Sequence, residues 1–340
     1  VQGHDGRELN ERKTAFEKRS KMTTKSFQYV YGPVPSRRLG RSLGIDLVPH
    51  KVCSYDCIYC QLGRTTDKTV DRREYVPVDA VLAELTRKLT EGSAPDYITL
   101  AGSGEPTLNS GIGRLIRAVK AMTDIPLAVL TNGSLLWMRE VQDALMRADV
   151  VLPSLDAGDE HIFQHVNRPH ASISFERMVG GITAFTRRFT GEVWLEVFLL
   201  GGITGFASEV DKIAAIVGRI APARTQLNSV FRPPAEAFAF PVSKKEMEQF
   251  KVLIPGAVEI ISEGEEEDVA VFASGRIPQE DVLALLGRRP CTIEDISRGL
   301  RLNRLEVLKW IDVLTKQGVV VTECVGGKSY YSCAERPKGA

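Results

Sequence analysis

The strongest constraint on this chain is an alternation that runs along most of it. Short stretches rich in β-branched and aliphatic residues are each followed by an amphipathic segment. Candidate strands are Ser42–Val48, Tyr97–Ala101, Leu127–Thr131, Val150–Leu155, Val193–Leu199 and Thr225–Val230. Helical periodicity lies between them at about 78–91, 109–122, 137–147, 172–188 and 207–219. Strand, helix, strand in this order predicts a parallel sheet, because each helix carries the chain back for the next strand. Six such strands over roughly two hundred residues predict an α/β fold with a partial (βα)6 barrel, since a full eight-unit barrel needs about 250 residues. On such sheets ligands collect at the carboxyl ends of the strands, where loops and helix N-termini converge. Those loops are where chemistry is expected.

After Val230 the regularity loosens. Phe231-Arg232-Pro233-Pro234 interrupts it, a helix near 243–253 follows, and Glu263 to Asp268 is an acidic run that reads as a solvated linker. Beyond Arg276 come three helical segments, Gln279–Leu286, Ile293–Leu300 and Arg304–Lys316, then two short strands, Val319–Cys324 and Lys328–Ser332, about Gly326-Gly327. Thr292 with Asp295, and Asn303 with Glu306, give N-cap signals before the second and third helices. Helix, helix, helix, two-stranded wing is the winged helix-turn-helix order. The expected division is a charged N-terminal extension at 1–28, the barrel at 29–240, a connecting segment at 241–275 and a winged helix at 276–334.

Lys+Arg 44 against Asp+Glu 43 leaves a formal charge of +1, so nucleic-acid contact needs a local patch. No apolar run of about eighteen residues exists and the N-terminus is charged, which predicts a cytoplasmic protein without membrane spans. Six cysteines are too few for a disulfide scaffold, and a close group of them in a reducing compartment points to metal or redox chemistry. Three are grouped, in Cys53-Ser-Tyr-Asp-Cys57-Ile-Tyr-Cys60, just after the first strand. Three thiolates on one loop can face one centre. A four-iron cluster so held keeps one iron open for a small chelating molecule. A zinc site on His50, Cys53, Cys57 and Cys60 is the competing reading.

The loops that follow favour the cluster. The second strand ends Gly102-Ser103-Gly104-Glu105, where glycine lets backbone approach a ligand and Glu105 offers a carboxylate to an ammonium. Asn132 stands in a turn by composition, as binder or turn former. Ser154 and Asp156 share one face of the fourth strand end, as ribose partners or as an N-cap pair. Arg168, before Pro169, is either a carboxylate donor or a surface turn. Glu196 at mid-strand, and Gln226 with Asn228, are placed to point inward, although a satisfied buried acid describes Glu196 as well. Arg37, Arg38 and Arg41 precede the first strand and offer a phosphate or carboxylate contact near the barrel mouth, or a solvated turn.

The spacing of three then two residues, with Tyr59 before the last cysteine, resembles the signature of the radical S-adenosylmethionine (SAM) superfamily. That resemblance implies a [4Fe–4S] cluster on Cys53, Cys57 and Cys60, with SAM on the open iron through its amino and carboxylate groups. An electron from the reduced cluster then cleaves the sulfonium to methionine and a 5′-deoxyadenosyl radical, which abstracts hydrogen from a substrate. It also implies SAM contacts at Tyr59, at Gly104 and Glu105 (with Ser103 in place of the first glycine of a Gly-Gly-Glu motif), at Asn132, Ser154, Asp156 and Arg168, and at Gly201, Ile203 and Gly205, an adenine-packing strand end. Ser208 stands where an acidic residue is expected, with Glu209 one place late. An electron donor such as flavodoxin or ferredoxin is implied as partner.

The block from Tyr31 to Gly44, with the cysteine loop and 226–232, looks like a group of Fe–S oxidoreductases related to the wyosine-base (imidazoline-guanosine) tRNA synthase, over about residues 29–240. That synthase has a second cluster on cysteines before the triplet. Here no cysteine precedes Cys53, which tells against the tRNA reaction. Cys291, Cys324 and Cys333 read as small core or surface residues. The substrate, whether RNA, peptide or small molecule, is not fixed by sequence. Arg301, Arg304, Lys309, Lys316 and Lys328 bring phosphate within reach of the third C-terminal helix and wing, but Glu306, Asp312 and Glu323 dilute them. An iron–sulfur redox-sensing DNA-binding regulator is the alternative to a radical SAM enzyme.

Overall fold

The computed structural model describes residues 27–92, 94–261, 279–300 and 302–334. The acidic run at 263–268 and nearly all of the 1–28 extension lie outside them. Eight strands form one sheet in the order β1 (Val30–Ser36), β2 (Gly40–Asp46), β5 (Tyr97–Ala101), β6 (Leu127–Thr131), β7 (Val150–Pro153), β8 (Glu192–Phe198), β9 (Arg224–Asn228), β10 (Val258–Ile260). β1 pairs antiparallel to β2 and every other pairing is parallel. A small separate ladder joins β3 (Val52–Cys53) to β4 (Asp67–Lys68). The intervening helices are α1 (Val78–Thr90), α2 (Ile112–Met122), α3 (Arg139–Leu145), α4 (Glu160–Val166), α5 (Phe175–Arg188), α6 (Ala207–Ile220) and α7 (Lys244–Lys251).

Strand alternation sorts the two faces of the sheet. Leu100, Val129, Val151 and Leu195 are buried with helix residues such as Leu85, Leu115 and Ile182. Their neighbours Thr99, Leu130, Leu152 and Glu196 line a cavity on the inner face. The sheet is strongly curled. Arg38, in the turn between β1 and β2, brings Nη1 within 2.9 Å of Glu196 Oε1 on β8, four strands beyond β2. In a flat sheet those strands stand roughly 19 Å apart at about 4.8 Å per strand.

The six expected strands are β2 and β5 to β9, with β5 and β6 at the expected bounds. Two edge strands were not expected. β1 carries Pro33 and Pro35, which read against a strand, but an edge tolerates proline, and its register shifts between Tyr31 and Val34. β10 has only three residues and pairs with β9, so the sheet extends past the point where the sequence pattern loosens. α4 is an added helix, started by Asp159, whose Oδ1 accepts from Ile162 N at 2.9 Å.

Three helices follow, α8 (Gln279–Arg288), α9 (Ile293–Leu300) and α10 (Arg304–Lys316), then the antiparallel hairpin β11 (Val320–Val325) and β12 (Lys328–Cys333). They share a second core of Val282, Leu286, Ile296, Val307 and Leu314, which Val34 of β1 joins. Polar ties fasten this core to the sheet. Arg288 Nε donates to Asp46 Oδ2 at 3.2 Å and its guanidinium sits 4.3 Å from the Tyr31 ring centroid. Arg232, just past β9, donates to Pro290 O at 3.1 Å and to Asp295 Oδ2 at 3.2 Å. Among the described residues no helix is long and apolar enough to cross a membrane.

Candidate metal centre and adjoining cavity

The cysteine loop lies over the carboxyl ends of β2 and β5. Lys51 N donates to Ser103 O at 2.6 Å, and Glu105 N to Val52 O at 3.2 Å, so the loop after β5 abuts the strand that carries Cys53. Gly104 makes that approach feasible, because a Cβ there would stand 1.9 Å from the Val52 carbonyl oxygen. Cys53, Cys57 and Cys60 are all free thiols, none fully buried by its side chain.

Each sulfur faces a side-chain nitrogen. Lys51 Nζ lies 3.1 Å from Cys60 Sγ, Asn132 Nδ2 lies 3.7 Å from Cys53 Sγ, and Asn167 Nδ2 lies 3.5 Å from Cys57 Sγ. Burial, then the nearby Glu105 carboxylate, pushes the Cys53 thiol up to about 12, and burial raises Cys57 as well. Burial alone would lower the Lys51 ammonium, but the three cysteines around it outweigh that and raise it. Thiolates in such a seat need positive charge beside them, and nitrogen donors aimed at sulfur suit an anionic metal–thiolate cluster. Among the described residues no three His, Cys, Asp or Glu side chains gather as for a single metal ion. A four-iron cluster does not ask for that, since its cysteines bind different irons. The zinc reading with His50 therefore finds no support.

The loop ends expected to hold a cofactor come together unequally. Glu105 is buried and accepts four hydrogen bonds, from Thr107 N at 3.0 Å, Thr107 Oγ1 at 2.5 Å, Thr131 Oγ1 at 2.7 Å and Asn132 N at 2.7 Å. Burial still raises its carboxyl despite those donors. Only the Asn132 bond falls on Oε2, so that oxygen keeps acceptor capacity, and Glu105 lines the cavity. Asn132 also donates to Ser54 Oγ at 2.9 Å and closes its own turn onto Ser134 N. Ser154 lines the cavity too.

Asp156 is buried and occupied. Its Oδ2 accepts from Tyr59 OH at 2.5 Å and Asn167 Nδ2 at 2.7 Å, and its Oδ1 from Phe198 N at 3.3 Å. Burial pushes its carboxyl up to about 6. Tyr59 stacks on Phe198 at 4.0 Å between centroids and packs with Ile203 in one apolar cluster. Gly201 N donates to Phe240 O and Gly205 N to Leu200 O; an added Cβ would strike the Pro241 carbonyl oxygen at Gly201 and the Val242 side chain at Gly205. Arg168 turns away, its Nη1 2.6 Å from Glu236 Oε1, so the surface reading describes it. Arg37 and Arg38 line the cavity, but Arg41 is held at the amino edge, its N 2.6 Å from Asp96 Oδ2. Glu196 is shared by Arg38 and by Asn228 Nδ2 at 2.7 Å. Lys51 was not expected, and nothing in its residue type marks it. Asn167 was passed over for its charged neighbour.

The cavity measures about 1660 Å³ and lies between the inner face of the sheet and the C-terminal helices and hairpin. Cys53, Glu105, Asn132 and Ser154 line one side, Arg289, Asp295 and Tyr330 the other.

The radical SAM superfamily pattern matches residues 47–214, the stretch that builds this site. A UPF0026 protein of Methanocaldococcus jannaschii, MJ1312, is 33% identical over 307 residues, covering 88% of this chain and 94% of that protein. The chain belongs to the UPF0026 family. A second UPF0026 protein, from Helicobacter pylori strain J99, is 31% identical over 318 residues, 92% of this chain and 100% of that one. A Brachyspira hyodysenteriae protein named GTPase Obg is 41% identical over 325 residues, but this UPF0026 chain spans only 47% of its length. Among solved structures, a radical SAM methyltransferase from Sphaerobacter thermophilus superposes with a TM-score of 0.50 at 17% identity, over 64% of this chain and 66% of that one. The sequence match and the shared fold make the UPF0026 chain a radical SAM enzyme of the Fe–S oxidoreductase type, with a [4Fe–4S] cluster and SAM as cofactors. The DNA-binding regulator alternative gains no support.

Proposed function

We propose that Cys53, Cys57 and Cys60 hold the cluster and that the cavity beside them is where a substrate loses hydrogen. The observation that carries this reading is that each of the three sulfurs has its own nitrogen donor. When bound, the reduced cluster supplies an electron that cleaves SAM to methionine and a 5′-deoxyadenosyl radical. Glu105 receives the SAM ammonium on Oε2. Asn132 and Ser154 lie beside it on the cavity wall, and Gly201, Ile203 and Gly205 flank the adenine together with the Tyr59–Phe198 stack. Asp156 acts through Tyr59 and Asn167, which it orients.

The C-terminal helices and hairpin are read as a winged helix that serves as a cavity wall; its residues line the same space as Cys53. Kinship with the wyosine-base tRNA synthase, a cytoplasmic setting and electron delivery by flavodoxin or ferredoxin belong to the same proposal. Anaerobic reconstitution followed by dithionite reduction is expected to yield 5′-deoxyadenosine from SAM, and Cys57→Ala is expected to abolish it. SAM cleavage by a triple Cys→Ala variant would overturn the ligand assignment.

A further inference from the structure

The cavity carries a charge that the chain as a whole does not. Eight cationic side chains line it against five carboxylates, while the full chain is only +1. Several of the cations are paired: Arg38 with Glu196, Arg232 with Asp295, Arg304 with Glu294 and Arg288 with Asp46. Arg37 is not. Among the described residues its guanidinium makes no ion pair and sits over the Phe231 ring, 4.1 Å from the centroid. An aromatic face holds a guanidinium in place without consuming its N–H donors, which stay available at the ring edge.

Arg37 is also crowded. Burial, then the neighbouring Arg232 and Arg38 guanidiniums, holds it down to about 10, and Arg289 adds to the repulsion. Arg289 itself forms no ion pair among the described residues. Glu196 and Asp295 stand among these four guanidiniums, but Arg38 and Arg232 already pair with them, so the group keeps two positive charges in excess, which is unfavourable unless something else demands the arrangement. These residues come from separate places, the β1–β2 turn, the exit of β9 and the segment after α8, so helix periodicity does not account for the cluster.

We propose that the cavity binds its substrate through a dianionic phosphomonoester seated at Arg37 and Arg289, beside the paired Arg232. This rests on the cavity being the place of reaction. A lone carboxylate is satisfied by one guanidinium fork, whereas two guanidiniums without an ion pair match a group with three terminal oxygens and two charges. The volume of about 1660 Å³ exceeds the roughly 300–1,000 Å³ usual for one small ligand, which leaves room for SAM and a phosphorylated small molecule together.

The test is calorimetric titration of the full chain at constant ionic strength with inorganic phosphate, glycerol 3-phosphate, dimethyl phosphate and malonate. Saturable binding of the first two, at one per chain, is expected. Arg37→Gln, and independently Arg289→Gln from the opposite wall, are expected to weaken it by about 10–100-fold, as for loss of a hydrogen bond to a charged group. Arg117→Gln, on the exposed side of α2, is expected to bind as wild type. Equal affinity for dimethyl phosphate or malonate, unchanged binding in both cavity variants, an equal loss in Arg117→Gln, or no saturable binding would each overturn the site. Anion binding needs neither cluster nor SAM. Its absence from a protein that cleaves SAM therefore removes this inference alone, and intact binding without SAM cleavage removes only the reading above.

Discussion

At the scale of single residues, the three cysteines differ in what faces them. Cys53 and Cys57 meet neutral amides, whereas Cys60 meets the full charge of Lys51, a buried residue with φ of 60°. A positive charge beside a cluster favours its reduced, more negative state. Lys51→Met is therefore expected to move the cluster midpoint to more negative potential in an EPR-monitored titration. SAM cleavage should fall by about 10–100-fold, the usual effect of losing such a supporting contact. Asn167→Ala, which removes a neutral donor, should shift the midpoint less. Glu196 gives a pH signature. Burial alone would raise its carboxyl, but Arg38 and Asn228 outweigh that and hold it below its ordinary 4.5. The stability it contributes is thus present above the unfolded value and lost as pH falls through the folded one. Glu196→Gln is expected to cost about 1.5–3 kcal/mol near pH 7, with the gap to wild type narrowing near pH 4, read by urea unfolding. The cysteines were legible in sequence because their spacing is the signal. Asn167 was not. In Asn167-Arg168-Pro169 the charged residue attracts attention, yet Arg168 takes φ of 45° and reaches Glu236, while the amide beside it turns in to Cys57 and Asp156. Composition does not reveal which of two adjacent side chains faces inward.

At the scale of elements, the central strands were readable, β5 and β6 to the residue, because strands buried on both faces stand out as short aliphatic runs, as in β7, buried throughout. The edges were not, since β1 mixes proline and glycine with apolar residues and β10 is too short to show a period. The junction between the β5 exit and the cysteine strand was half legible. Glycine at 104 was expected to admit a ligand, and the structure shows it first admitting the Val52 carbonyl. Gly104→Ala forces one backbone away from another. It is expected to destabilise the chain by about 1–3 kcal/mol and to reduce the iron retained on reconstitution. Gly180→Ala is the contrasting case, an exposed position within α5 with nothing within 4 Å of an added Cβ. It is expected to raise the thermal midpoint through a gain of about 0.5–1 kcal/mol.

At the scale of the whole molecule, the C-terminal elements do not stand apart from the sheet. Arg288 reaches Asp46 at the carboxyl end of β2, whose other oxygen accepts from Ser103 N at 2.9 Å beside Gly104. The tie that fastens the second core thus ends one step from the cysteine loop. Arg288→Ala is expected to cost about 1.5–3 kcal/mol and to separate a low-temperature transition of the C-terminal elements from the main calorimetric peak. The placement of the wall also has a consequence for synthesis. The proposed seat for iron has its three nitrogen donors once Asn167 has folded against Cys57, and β9 has joined the sheet by Asn228, but Tyr331 follows about a hundred residues later, roughly 5–20 s at ribosomal speed. During that interval the nascent sheet holds its thiolates toward an unroofed side, within reach of whatever delivers metal, and the last helices to emerge shut the door behind it.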